Sequence, residues 1–526
     1  MSKKYFRWLT ITLLMILNAC LNSAFVNLAP KYEPQEFVVP DNWEGQAPFV
    51  KANPGGAEIV SEWWKLFGDP TLDQLEEEAL RANPDLQASA ERFLQARDIV
   101  MKARSKLLPN FGLGLGVSNN QQSENALFRG PLDPTKDGNV NVGSTASWEP
   151  DFWSSIRNET WAKLYEAESI AAQYASARLS LQSEIATNYF TLRGLDAKKD
   201  TFDLSIQYYQ KLLELVNQRF KGGLSPKLDV FRAEYLLSTA EARRFEILSQ
   251  RRIIETSIAV LINRTPTQFH IAEDPNLQSI RFQIPNHLPS QLLERRPDIA
   301  AAERKMAKAN REIGIAKAAF FPNISFGATG GWESGSNILS SSNSYWSYGS
   351  LGSIPIFQGG FRRAQLQQAW SSYRETEHMY RSTVLNAFRE VENSLTQTKY
   401  LALETEKLDR AVEMAFQTQE MTTQLYTAGL SNSMEILYAQ LSTLESKLSA
   451  IQVKVDYLNT SITLIRALGG GWSRSQLPKD DEIIPFTIYD SPDTIIKTQD
   501  VPIPNTERTQ RIDLTKPIQN GKENTK

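Results

Sequence analysis

Apolar residues along most of this chain recur at intervals of three and four, the spacing of helices that bury one face. In two places the rhythm changes to alternation. After Pro109, Phe111, Leu113, Leu115 and Val117 alternate with Gly112, Gly114 and Gly116. One face of this strand is apolar and the other is bare backbone. After Pro322, Ile324, Phe326, Ala328 and Trp332 share a face against Ser325, Gly327 and Thr329. Each strand follows a helical stretch that opens on Pro-Asp, at Pro84 and at Pro297. The anchors agree, since 297 minus 84 and 322 minus 109 both give 213. The chain is internally duplicated.

Each alternating stretch leads through a polar loop to a return strand. The predicted pairs are 111–118 with 140–149 and 324–332 with 348–357. Strands of about nine to ten residues are near the length that crosses a bilayer when tilted. Two very long helices follow, Ser155 to Lys221 and Phe361 to Thr427. Each is about 67 residues and about 100 Å long at the usual rise. Both end in one design of turn, Arg219 to Pro226 and Leu425 to Asn432, at an offset of 425 minus 219, or 206. Gly223 and Gly429 suit the left-handed residue that closes a helix. Ser225 and Ser431 are expected to cap the next helix, with Pro226 in its first turn. Asp229 and Glu435 complement the positive helix end.

The predicted helical hairpins are 155–263 and 359–468. The last helix carries an unbroken seam: Met434, Leu437, Leu441, Leu444, Leu448, Ile451, Val455, Leu458, Ile462 and Ile465. That is a coiled-coil pattern. Its counterpart starts alike (Leu228, Phe231, Tyr235) and lapses at Ser249 and Arg252, so the two hairpins are expected to pack differently. Trp63, Trp64 and Phe67 read as core.

The N-terminus reads as a secretory leader, residues 1–19, with basic Lys3, Lys4 and Arg7 and an apolar run from Leu9 to Leu17. Leu17-Asn18-Ala19-Cys20 resembles a bacterial lipobox, which makes Cys20 the expected lipid anchor. Leu21 in place of Asp implies sorting to the outer membrane. An extended arm (20–62), a first repeat (63–264), a linker (265–296), a second repeat (297–472) and a polar tail expected to be disordered (473–526) complete the division.

Composition narrows the function by exclusion. A net charge of -3 from 57 basic and 60 acidic residues gives no pull toward nucleic acid. Three histidines and one cysteine are too few for a disulfide framework, a typical metal site or catalytic acid–base work. No catalytic residue, metal or cofactor is expected. No later apolar run of about 20 residues makes a membrane helix, but a strand barrel leaves a weaker trace. Four strands cannot close a barrel alone, and bare strand edges cost several kcal/mol per group in lipid. The strands therefore require sibling chains; two copies would give eight strands and three would give twelve.

Arg295-Arg296-Pro297-Asp298-Ile299, Ala318-Ala319-Phe320-Phe321-Pro322, Trp148-Glu149-Pro150-Asp151-Phe152, Ile354-Pro355-Ile356-Phe357 and the two tip turns resemble the TolC-type outer-membrane efflux proteins, lipoprotein branch. The likeness runs from about Trp63 to Trp472. It implies a mainly α protein with a membrane β part. It also implies a homotrimer that forms a 12-stranded barrel in outer-membrane lipid, continued by a periplasmic α-barrel tunnel. The implied function is a passive exit duct served by a periplasmic adaptor (membrane fusion) protein and an inner-membrane transporter. The tips Gly222, Gly223, Leu224, Ser225, Gly429, Leu430 and Ser431 would meet the adaptor. Met434 and Tyr438 stand where the family narrows its aperture with an apolar residue and an aspartate. Ser154-Ser155 stands where the family has Gly and a basic residue. The alternative reading is a surface-anchored coiled-coil spacer or adhesin without a lumen.

Overall fold

The computed structural model describes residues 26–33, 61–121, 123, 136–277, 292–334 and 340–483. The leader, Cys20, most of the arm, residues 278–291 of the linker and the tail beyond 483 lie outside the described residues.

The duplication is reproduced in element lengths. The first repeat contains α1 (Pro70–Ala82), α2 (Pro84–Ser105), β1 (Asn110–Gln121), β2 (Lys136–Trp148), α3 (Ser155–Lys221) and α4 (Lys227–Leu261). The second contains α5 (Pro297–Ala318), β3 (Asn323–Ser334), β4 (Ser344–Ser353), α6 (Phe361–Thr427) and α7 (Ser433–Ala467). α3 and α6 are both 67 residues; α4 and α7 are both 35. α2 and α5 are both 22.

Two side chains join the shorter helices end to end. The Asn83 side chain accepts from Leu86 N, capping α2, and its Nδ2 donates to the Leu261 carbonyl at 2.8 Å, where α4 stops. In the other repeat, Arg296 Nη1 donates to the Ala467 carbonyl at 3.0 Å and so ties the start of α5 to the end of α7. Each stacked pair runs alongside a long helix. α3 packs against α2, α4, α5 and α7, while α6 packs against α5 and α7. The layer order is α2/α4, α3, α5/α7, α6. The sheet has the same order, β1-β2-β3-β4, all antiparallel. Strand layer and helix layer are one continuous curtain with two open edges.

The main core lies at mid-height, where α1 and the 3-10 turn Trp63–Phe67 cover α3. Trp63, Trp64, Phe67, Ile185, Tyr189, Phe190, Ile258 and Ile462 are buried there, and the Phe67 and Phe190 ring centroids are 4.7 Å apart. The aromatic triplet is core, as its pattern predicted.

Four expectations change. The last strand occupies 344–353, not 348–357. Its pairing stops where Ser353 meets Asn323, because Pro322 offers no N–H beyond that point and Pro355 none on the other side. The seam of α7 holds from Leu444 to Ile465 but turns near the tip. There Ile436, Ala439, Gln440 and Thr443 are buried while Met434 and Leu441 are exposed. A helix inside a layer has neighbours on two sides, and small residues suit close approach better than one apolar stripe does.

The lapse in α4 has a partner. Arg251 Nη2 donates to the Ile271 carbonyl at 2.8 Å, and Arg252 Nη2 donates to the Pro266 carbonyl at 2.7 Å. These arginines hold residues 265–272 of the linker against the hairpin. Asp196, 2.5 Å from Arg251, and Glu255 balance the charge. Finally, the start of the tail is ordered: Ile483 is buried with Ala96, Val100, Leu164 and Ala167. An apolar residue eleven positions past Trp472 explains the difference from the polar stretch expected there.

Candidate functional site

The sheet has one mainly apolar and one mainly polar face, with Leu351, opposite Ser325, the apolar exception on the polar one among the described residues. Register places Leu115 beside Val142, Val142 beside Trp332, Phe111 beside Ala146 and Ala328 beside Tyr348. All are on one face, and its large side chains are bare; Leu113 is 83% exposed. The opposite face reads Gly112, Thr145, Thr329 and Ser347 in one row, and Gly114, Gly143, Gly331 and Tyr345 in the next. Tyr345 donates to Asn141 Oδ1 on that face. Such a sheet suits lipid on one side and water on the other. Aromatic residues collect at both ends of the apolar face. Trp148 stacks on Phe326, and Trp153 on Phe321, beside the helices; Trp346 stacks on Tyr348 toward the loops. Membrane interfaces favour such belts.

The joint between the repeats is polar and well paired. Arg304 lies 2.9 Å from Glu168, and Lys308 lies 3.0 Å from Glu166. Burial would raise the Glu166 carboxyl, but its bonds from Lys163 and Lys308 outweigh that and hold it below the usual range. The strand-to-helix bend before α3 places Ser154 at φ 54°, a conformation that disfavours every residue but glycine. Its counterpart in the second repeat is Gly360, at φ 88°. Asp151 secures the bend by accepting from Ile156 N and Arg157 N at 3.0 and 2.8 Å.

The tips close as the glycines predicted. Gly223 and Gly429 have φ of 74° and 78°. Leu224 N donates to Arg219 O and Leu430 N to Leu425 O, at 2.8 and 2.9 Å, which is the six-to-one bond of a Schellman motif. Gly222 is the C-cap of α3. Leu224 and Leu430 stand out at 74% and 77% exposure. The capping expectation is corrected. Asn432, not Ser431, caps α7 by accepting from Glu435 N at 3.0 Å, and Ser431 bonds the Glu435 carboxylate instead. Pro226 is itself the N-cap of α4, and the Ser225 hydroxyl has no hydrogen-bond partner among the described residues.

Met434 and Tyr438 lie one turn apart on the exposed side of α7, at 52% and 75% exposure. Sequence reasoning missed the ties beside them. The Ser433 hydroxyl donates to Asp229 at 2.6 Å. Arg219 Nη1 donates to the Tyr426 carbonyl at 2.8 Å, with its guanidinium 4.7 Å from the Tyr426 ring centre. These bonds link the two hairpins, and only the duplicated acid at the helix starts hinted at them. Just above, burial and then Glu445 push the Tyr209 phenol up to about 12.

Residues 75–264 and 288–470 match the profile of the family described as "Outer membrane efflux protein". The chain belongs to this family. It is 28% identical over 466 residues to the pyoverdine export outer membrane protein OpmQ of Pseudomonas aeruginosa, covering 87% of this chain and 97% of the relative. It is 29% identical over 486 residues to the toluene efflux pump outer membrane protein TtgI of Pseudomonas putida, covering 90% and 99%. Among solved structures, the Campylobacter jejuni CmeC outer membrane channel superposes with a TM-score of 0.78 at 22% identity, over 90% of this chain and 98% of that one. The outer-membrane channel OprN gives 0.74 at 26% identity, over 84% and 99%. The two-faced sheet and the helical curtain are therefore those of an outer-membrane efflux channel.

Proposed function

We propose that three copies of this chain close their sheets into one twelve-stranded barrel in the outer membrane, continued by a tunnel of helices. The observation that carries this reading is the curtain with both edges open: among the described residues β1 and β4 each have a single neighbour, and bare edges do not persist in lipid. The duct is passive. It receives its substrates from a periplasmic adaptor and an inner-membrane transporter. Leu224 and Leu430, with the glycine turns that present them, are the apolar contact for the adaptor. Met434 and Tyr438 from three copies ring the periplasmic opening, and phenols there attract cations less than a carboxylate ring would. Cys20 carries the lipid that anchors the mature N-terminus.

A spacer or adhesin would have no use for a sheet with a glycine- and hydroxyl-lined face. The tips supply the test. Leu430→Glu should abolish co-purification of the adaptor while the oligomer persists. Undiminished adaptor binding, or loss of the oligomer itself, would refute the assignment of the tips.

A further inference from the structure

We propose that Tyr345 sets the width of the duct at its outer mouth, and that Gly143 and Asn141 hold its ring flat against the wall so that the mouth stays wide. This rests on the reading above that three copies close the barrel and that the polar face of the sheet lines its lumen.

Tyr345 is the second residue of β4 and so stands at the loop end of the sheet. It is directly opposite Gly331, in the row Gly114, Gly143, Gly331, Tyr345. Among the described strand residues it is the only aromatic ring on the polar face, where glycine and short polar side chains otherwise prevail. Yet the ring does not stand up from the wall. Its hydroxyl reaches past Gly331 on β3 to Gly143 on β2: a Cβ built on Gly143 would lie 2.5 Å from that oxygen and 3.7 Å from Cζ. There the hydroxyl donates to Asn141 Oδ1 at 3.3 Å. Tyr345 is half-buried by this arrangement, while Ser344 and Trp346 on either side of it are exposed.

The two glycines under the ring differ in kind. At Gly331 a Cβ would strike the Val142 carbonyl oxygen at 2.2 Å, so the backbone itself demands glycine. A ring laid across that pair covers the bare position, as aromatic residues do opposite glycine in sheets. At Gly143 the nearest atoms to an added Cβ are the end of the phenol and the Asn141 Oδ1, at 3.1 Å. Only the parked ring and its tether exclude a side chain there. Covering Gly331 alone would not require a second bare position one strand further on.

The width at stake follows from strand spacing. Twelve strands about 4.8 Å apart and tilted by about 40° give a backbone diameter of about 24 Å. The phenol covers most of two strand spacings, a reach of roughly 6–7 Å. Three such side chains turned inward at one level would leave a circle of about 11 Å between atom centres. Laid flat, they cost the bore little more than the thickness of a ring. Tyr345 is therefore the residue on this face that decides the largest cargo able to leave.

The test reads polymer access from outside. Ser147 lies on the polar face two rows nearer the helices, beside Asn110 and Gly327. Intact cells making the full chain with Ser147→Cys are treated with maleimide-tagged polyethylene glycols of graded length, once the oligomer has been confirmed. The chain without that change gives the background from Cys20. Adding Gly143→Val should abolish labelling by the longest polymers that label the parent, and adding Tyr345→Ala as well should bring it back. Tyr345→Ala alone should admit polymers at least as long as the parent does. Gly116→Val places the same side chain on the polar face where nothing lies within 4 Å, and should label like the parent. If Gly143→Val does not assemble, Gly143→Ala takes its place with the same expected direction, because its one added carbon meets the movable end of the phenol. Unchanged labelling with the Gly143 variant, or a loss that Tyr345→Ala does not restore, overturns the proposal, as does a parent that excludes every polymer. If even a small membrane-impermeant maleimide fails to reach Ser147→Cys in every variant, the polar face is not a lumen and the duct reading falls with the proposal.

Discussion

The face assignment of the sheet makes a quantitative demand on Leu115. It sits near the middle of β1, beside Val142 and in line with Trp332, on the face that carries the exposed apolar side chains. An arginine placed there lies at the level of the bilayer centre, where the cost on a barrel's lipid face is about 2–4 kcal/mol per copy. At about 1.4 kcal/mol per tenfold, that is roughly 30- to 700-fold in the assembly equilibrium for each chain. Thr145 offers the matched control. It lies three residues along the ladder from the Leu115 row, on the other face, beside Gly112 and Thr329, where an arginine meets water. Leu115→Arg should sharply reduce the protein assembled in the outer membrane, read as oligomer resistant to extraction, while Thr145→Arg should assemble like the parent. Equal loss in both variants, or normal assembly of Leu115→Arg, would refute the division into lipid and lumen faces.

Further outcomes follow from single sites. Ser154→Gly should stabilise the protein by about 1 kcal/mol, because the left-handed bend costs an L residue roughly that much; a lowered melting temperature would contradict this. Glu76 in α1 is fully buried and neither carboxyl oxygen is hydrogen-bonded among the described residues. Burial, with Asp73 adding to it, pushes its pKa well above the usual range. A carboxyl raised on folding contributes stability below its unfolded pKa and loses it as pH rises toward the folded value. Glu76→Gln should therefore raise the melting temperature near neutral pH and lose that advantage as the pH falls toward about 4. A constant difference at all pH values would show that Glu76 does not titrate this way.

Much of the curtain was readable because its signals are local. The bounds of α3 and α6 follow from an unbroken period and from glycine turns, and the structure places both where the pattern put them. The exposed face of β1 was legible in four alternating residues. What escaped depended on partners distant in the chain. The end of β4 is decided by where β3 begins, so Ile354 to Phe357 looked like strand until Pro322 was seen to end the ladder. The tip of α7 shows a smooth apolar stripe, yet Ser433 and Thr443 make its contacts. Arg251 and Arg252 read as a flaw in a coiled coil because the carbonyls they hold come from the linker. Of the site, the glycines of the tips were legible and their caps were not: Asn432 and Ser431 are equally good cap residues on paper, and the backbone angle chooses between them.

The account stands on the claim that one chain supplies only part of a wall. The most direct test is the mass of the full-length protein purified in mild detergent, measured by light scattering with the detergent subtracted, alongside its conductance in planar bilayers. The account predicts three chains per particle and a steady aqueous conductance. A particle of one chain whose four strands close on themselves, with no conductance, would contradict it.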